Sequence, residues 1–192
     1  HMASQTVRTT QDSDGEPFMW VHVLAVPKEV HERMGEMVGT LPMKRFDWVV
    51  STEAASRVTS RVERTGGSAQ EALRPYTLAV GQYPTHTEYS LSRNREWYHA
   101  HYAEEAQSAD NRAYFAVGFL NRVDVPLDAV GRLFVYGLDV EVGEYSLFVE
   151  IFDRAPEILN PFQVVQSREE PSELDGCAYA SCIGAGMDEY VG

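Results

Sequence analysis

The sequence predicts an α+β protein in which about three helices pack on an antiparallel sheet, with a mixed sheet as the alternative. Three observations support this prediction. Short runs rich in aromatic and β-branched residues recur along the chain, segments with helical spacing lie between them, and two alternating runs meet at a glycine at residues 143–144. The element order up to residue 120 is that of the ferredoxin-like βαββαβ unit, here extended by a β-hairpin.

The first strand and the first helix are predicted at residues 18–26 and 27–38. Aromatic and β-branched side chains fill most of the strand. Pro27 suits a first helical turn and Gly39 suits a helix stop. Between them, apolar residues recur with helical spacing at Val30, Met34, Met37 and Val38.

A second helix is predicted from Ser51 or Thr52, which suit an N-cap, to the glycines at 66–67. Its apolar stripe comprises Ala55, Val58 and Val62. A neighbouring stripe is basic and comprises Arg57, Arg61 and Arg64. We predict that these arginines either bind an anionic group or form a solvated face that pairs with acidic residues of the same helix.

Two strands are predicted at residues 76–80 and 87–91, because apolar and smaller residues alternate there on either side of Pro84. A third helix is predicted from Ser92 to residue 111. Its apolar stripe would comprise Tyr98, Tyr102 and Ala106. A further strand is predicted at residues 114–120.

The clearest pattern lies at residues 132–153, where apolar residues alternate on both sides of Gly143–Glu144. A two-residue turn that begins with glycine is typical of a type II′ hairpin. The predicted register pairs Val142 with Tyr145 and Leu138 with Val149. A slip by one residue would place the polar side chains in the core, so the pattern and the turn predict the same hairpin.

The chain is predicted to contain one domain. Residues 1–16 are polar and are predicted to be a flexible N-terminus that starts with a tag remnant, His1 and Met2. Residues 17–167 form the predicted single α+β domain. Residues 168–192 are predicted to be an acidic linker and a tail that contains Cys177 and Cys182.

The net charge of -13 is concentrated in the second half of the chain. Residues 104–192 contain five arginines and seventeen Asp or Glu residues, a net charge of -12, whereas residues 28–75 are close to neutral. This charge argues against direct nucleic-acid binding. It is typical either of a solvated acidic surface or of a surface for a basic partner, and an acidic mimic of nucleic acid is a further alternative.

The sequence contains no apolar run of the roughly 18 residues that a membrane span needs, so a cytoplasmic protein without membrane contact is predicted. Two cysteines are too few for a disulfide framework, and free thiols are expected in a reducing cytosol. Motifs for phosphate loops, dinucleotides, nucleophile elbows and zinc peptidases are absent, and no cofactor or metal is predicted.

The densest cluster of chemically capable side chains lies at residues 97–105. On the predicted helix, His99 and His101 would point to opposite sides and could not bind one metal together. His101 would share a face with Glu104 and Glu105 and could act with them as a catalytic base. The alternative is an ordinary histidine that makes a salt link.

The leading functional hypothesis is a non-catalytic binding or regulatory protein that recognises a macromolecular partner or a small ligand. Trp97, Tyr98 and the arginines of the basic stripe are its candidate binding residues. The main alternative is a small enzyme whose catalytic residues are His101, Glu104 and Glu105. A third possibility is that the cysteine-containing tail functions apart from the domain.

Overall fold

The structure, a computed structural model, describes residues 2–11, 17–25, 48–66, 74–106, 108–140, 145–165 and 172–187. Contacts group the chain into two compact units, residues 1–45 and residues 46–192. This grouping differs from the predicted division at residues 16 and 167, which stays a prediction.

The first unit contains a two-stranded antiparallel sheet. Its strands are β1, Met2–Gln11, and β2, Pro17–Ala25, and their register shifts between Thr6 and Arg8. The predicted strand at residues 18–26 is confirmed as β2. β1 was not predicted, because its polar residues contain no apolar run. The predicted helix at residues 27–38 lies outside the described residues.

The second unit is built on a five-stranded mixed sheet. The strands are β3 (Tyr76–Gln82), β4 (Thr87–Arg93), β5 (Glu96–Ala103), β6 (Val130–Gly137) and β7 (Glu157–Ile158). They lie in the order β5-β4-β3-β6-β7. β3, β4 and β5 are antiparallel, whereas β6 is parallel to β3 and to β7. The α+β class is confirmed with a mixed sheet, and the antiparallel ferredoxin-like core is wrong.

Five helices accompany this sheet among the described residues, in place of the predicted three or so. They are α1 (Trp48–Gly66), α2 (Ala109–Arg122), α3 (Ser146–Phe152), α4 (Glu173–Cys177) and α5 (Ala180–Gly186). α2 and α3 contribute to a core with one set of strand side chains, and α1, α4 and α5 contribute to a second core with another set. The segment predicted to be a tail therefore supplies core residues such as Cys177 and Ala180.

The predicted apolar stripe of helix α1 is confirmed, because Ala55, Val58 and Val62 are all buried. The predicted start is wrong, because the helix begins at Trp48, before Ser51 and Thr52. Its contact with β4 is polar. The Ser51 hydroxyl donates to Glu88 at 2.6 Å, and the Ser90 hydroxyl donates to the backbone carbonyl of Thr52 at 2.7 Å.

The predicted third helix at residues 92–111 is wrong, because most of this segment forms the hairpin of β4 and β5. Asn94 and Arg95 both have positive φ, 52° and 70°, as a two-residue type I′ turn requires. Spacing by four between Tyr98 and Tyr102 resembles a helix. The aromatic residues of this segment pack equally well on a strand.

The predicted strand at residues 114–120 is also wrong, since it lies in α2. Ser108 caps this helix, and its hydroxyl accepts a hydrogen bond from the Asn111 amide. The buried residues fall at helical spacing and are Arg112, Ala113, Ala116, Phe119 and Leu120.

The predicted hairpin at residues 132–153 is wrong in its second half. Its first strand is β6, but this strand ends at Gly137, and the residues from Ser146 form α3. Phe148 and Phe152, four residues apart, are the buried pair of that helix. In the predicted register, which pairs Leu138 with Val149, Phe148 would lie on the opposite, polar face. The turn residues 143–144 lie outside the described residues.

Candidate functional site

A cleft with a volume of about 350 Å³ lies where β6 ends. Its lining comes from two segments, the end of β6 with the residues after it and α4 with the turn after it. The lining residues are Gly137, Leu138, Val140, Leu174, Asp175, Ala178 and Tyr179. Ligand sites in open α/β sheets lie outside the carboxyl ends of parallel strands, and this cleft adjoins the end of β6, which is parallel to β3.

The first wall depends on how the chain leaves β6. Gly137 has φ of 110°, a backbone conformation that residues other than glycine rarely adopt. The Asp139 amide then donates to the Gln82 carbonyl at 3.0 Å, which holds the turn against β3. Leu138 lies between these two fixed residues and is 70% exposed.

The second wall is α4 and the turn after it. The Ser172 hydroxyl caps α4 by accepting from the Asp175 amide at 3.2 Å. Cys177 is buried, and its thiol contacts the carbonyls of Leu174 and Gly137 at 3.1 and 3.7 Å. Burial raises the pKa of this thiol. Cys177 thus joins the two walls, while Leu174 and Tyr179 remain exposed by 43% and 55%.

The first wall is also held from the opposite face of the sheet by Arg112 of α2. Its guanidinium donates to Asp139 at 2.6 Å and to the side-chain oxygen of Gln82 at 3.2 Å. Tyr145 donates to the same Gln82 oxygen at 3.4 Å. Within the described part of the chain, the side-chain nitrogen of Gln82, Nε2, and the Nε of Arg112 are buried without a hydrogen-bond partner.

A second polar cluster surrounds Glu88, which is 3% exposed. Its carboxylate accepts hydrogen bonds from Ser51 and from Tyr136, the latter at 3.3 Å, and His86 lies 3.6 Å away. Burial and the nearby Glu88 raise the pKa of Tyr136 well above its usual value, and burial lowers the pKa of His86. The His86 ring is stacked between Tyr83 and Tyr102. These contacts make the cluster around Glu88 part of the packing between α1 and the sheet.

The predicted catalytic residues lie on β5 and in the turn that follows it. His101 lies on β5 and stacks on Tyr89 and Phe119, and burial, with a contribution from Arg122, lowers its pKa. Glu104 follows the end of β5, and its negative charge contributes to the pKa shifts of Tyr102 and His86. Glu105 is exposed in the turn after β5. The contacts shown for His101 are with aromatic rings, and a catalytic role for His101, Glu104 and Glu105 stays a prediction.

The predicted binding residues also lie apart from the cleft lining. Trp97 and Tyr98 are half-buried on β5, where Tyr98 packs on Tyr76 with ring centroids 6.0 Å apart. Arg57 pairs with Glu53 at 2.7 Å. Arg61 and Arg64 lie further along α1. A binding role for the basic stripe stays a prediction.

Sequence reasoning missed the cleft because its walls lie more than thirty residues apart in the chain. Leu138 was assigned to a buried strand face, and Leu174 and Tyr179 were assigned to a linker and a tail. Gly137 was the one local signal, since a glycine inside an alternating run indicates a bend or a close backbone approach.

The sequence matches no protein-family model and no curated protein. Its fold is similar to that of solved structures. One is a chain of the PilM–PilN type IV pilus biogenesis complex, with a TM-score of 0.64 and 14% identity over 98% of this chain and 66% of that one. Another is a Bacteroides thetaiotaomicron protein of unknown function with an actin-like ATPase fold, with a TM-score of 0.53 and 9% identity over 82% of this chain.

These similarities show the fold alone, which is of the actin-like type. The chain spans about 55% of the Bacteroides protein and 66% of the pilus protein. Across the described residues, no helix is both long and apolar enough to cross a membrane. The same residues contain no group of three or more His, Cys, Asp or Glu side chains that could hold a metal ion.

Proposed function

We propose that this chain is a non-catalytic binding protein that holds an apolar segment of a partner protein in the cleft after β6. The observation that carries the proposal is that Leu138, Leu174 and Tyr179 are exposed by 70%, 43% and 55% in a single cleft. Exposed apolar side chains are ordinary when scattered, but several that line one concavity mark an interaction site.

The exposure of these side chains favours a protein partner over a small ligand. Small-molecule pockets bury about 70 to 90% of a ligand's surface. Here Leu138 and Tyr179 are more than half exposed and Leu174 is 43% exposed, so we expect a small molecule to leave part of their surface uncovered. A segment of another protein covers such a surface while its polar rim stays wet.

The structural similarities support the same class of function. The pilus protein that shares this fold was solved in a complex of two proteins, PilM and PilN. We propose by analogy that the present fold also serves as a platform for a partner chain. A fold alone does not define a function, so the proposal depends on the cleft.

Selection from a library of random dodecapeptides tests the proposal, with binding measured by fluorescence anisotropy. We expect selected peptides to lose at least about tenfold in affinity for Leu138→Asp and for Tyr179→Ser, as for central interface residues. Because Leu138 is a surface residue, its substitution should leave folding intact, which circular dichroism checks.

The matched control is Tyr114→Ser on α2. Tyr114 is 73% exposed and does not line the cleft, so peptide affinity should stay within about twofold. Selected peptides that bind Leu138→Asp as tightly as the unmodified chain would overturn the proposal. A library that yields no binder would also count against it.

A further inference from the structure

The charge at the cleft defines the partner segment more closely. Asp175 is the charged residue of the lining, and it is exposed. The Ser172 hydroxyl donates to its Oδ2 at 2.6 Å, which fixes the orientation of the carboxylate. Among the residues that the structure describes, no ion pair involves this carboxylate.

Two arginines of the second unit, Arg112 and Arg132, are paired with carboxylates other than Asp175. Arg112, which supports the first wall, forms an ion pair with Asp139 at 2.6 Å. Arg132 of β6 forms an ion pair with Glu157 at 2.6 Å. Residues 104–192, which include every residue of the cleft lining, carry a net charge of -12.

We propose that the cleft selects a segment in which a lysine or arginine stands next to the apolar residues, and that Asp175 recognises this cation. The inference rests on the proposed function. Apolar contacts with Leu138, Leu174 and Tyr179 would provide most of the affinity, while the carboxylate would select among apolar segments by charge.

The expected effect is moderate because Asp175 is exposed to solvent. Ion pairs at exposed positions change an equilibrium about two- to fivefold, and salt screens them. A cationic peptide should therefore bind about threefold more weakly to Asp175→Asn than to the unmodified chain. The difference should shrink when the salt concentration rises from about 50 mM to about 500 mM.

The experiment uses the tightest dodecapeptide that depends on Leu138 and a version with each Lys and Arg replaced by Gln. Both are titrated against the unmodified chain, Asp175→Asn and the control Asp124→Asn. Asp124 is exposed, does not line the cleft and has φ of 56°, which asparagine also tolerates. The control removes the same charge at another place.

We expect the selected peptides to be cationic. Asp175→Asn should weaken the cationic version, leave the Gln version unchanged, and have a larger effect than Asp124→Asn. Leu138-dependent peptides that are neutral, or that do not respond to Asp175→Asn, would overturn this inference and leave the proposed function standing. Equal effects of the two Asp→Asn changes would assign selectivity to the general field, and would overturn the role of Asp175. A lack of Leu138-dependent peptides would remove the proposed function itself.

Discussion

Replacing Gly137 by alanine should strongly destabilise the second unit. A Cβ at this position would lie 2.3 Å from the Gln82 carbonyl oxygen, and φ is 110°. A residue held in such a region costs about 1 to 3 kcal/mol. The Gln82 carbonyl also accepts the hydrogen bond of Asp139, and its displacement would cost about 1 kcal/mol more. We expect a total loss of about 2 to 4 kcal/mol.

Equilibrium unfolding in urea, followed by circular dichroism, measures this loss. Gly118→Ala is the matched control, because it makes the same change inside α2, where nothing lies within 4 Å of the new methyl group. Alanine in a helix interior should stabilise by about 0.5 to 1 kcal/mol. The two substitutions should thus change the free energy of unfolding in opposite directions. A loss below about 1 kcal/mol for Gly137→Ala would refute the reasoning about the β6 turn.

Two further predictions concern buried polar groups. Because the pKa of His101 is lowered in the folded chain, the unfolded chain takes up its proton first as the pH falls below about 6.5, and stability should fall there. His101→Phe should lose less stability in urea between about pH 7.5 and pH 5.5 than the unmodified chain, and equal losses would contradict this. Arg112→Met should cost about 1 to 3 kcal/mol, because Asp139 loses its ion pair and the buried Gln82 oxygen keeps the Tyr145 hydroxyl, at 3.4 Å, as a weaker donor. Arg122→Met on the exposed side of α2 should change stability by at most about 0.5 kcal/mol, and equal effects would contradict the role of Arg112.

The sequence predicted those elements in which one signal dominates. β3 and β4 alternate between apolar and small residues, and the stripe of α1 has no strand-like alternative. Residues 92–103 fit two periods at once, because Tyr98 and Tyr102 match a helix while their aromatic side chains suit a strand. Pairing with β4 decides between them, and pairing is a property of the fold. From Tyr145 to Ile151, apolar residues alternate as in a strand. The helical spacing of Phe148 and Phe152, four residues apart, is a weaker signal in the same segment.

The candidate site was out of reach of local reasoning for a related reason. Leu138 is apolar, and an apolar residue in an alternating run indicates a buried face unless the strand ends. The end of β6 is set by the contact of Gly137 with Gln82, 55 positions earlier in the chain. Asp175 was assigned to a linker, because nothing near it in sequence indicates that α4 packs beside β6.

Three hydroxyl groups of α1 restrict the position of this helix along the sheet. Ser51 is matched to Glu88, Ser56 to Ser92, and Ser60 to the carbonyl of Arg95. Hydrocarbon surfaces tolerate sliding, because one methyl group replaces another at little cost. A row of directional hydrogen bonds does not tolerate sliding, since a shift by one turn would remove the partners of all three hydroxyls together. These hydrogen bonds therefore favour a single position of α1 along its axis on the sheet.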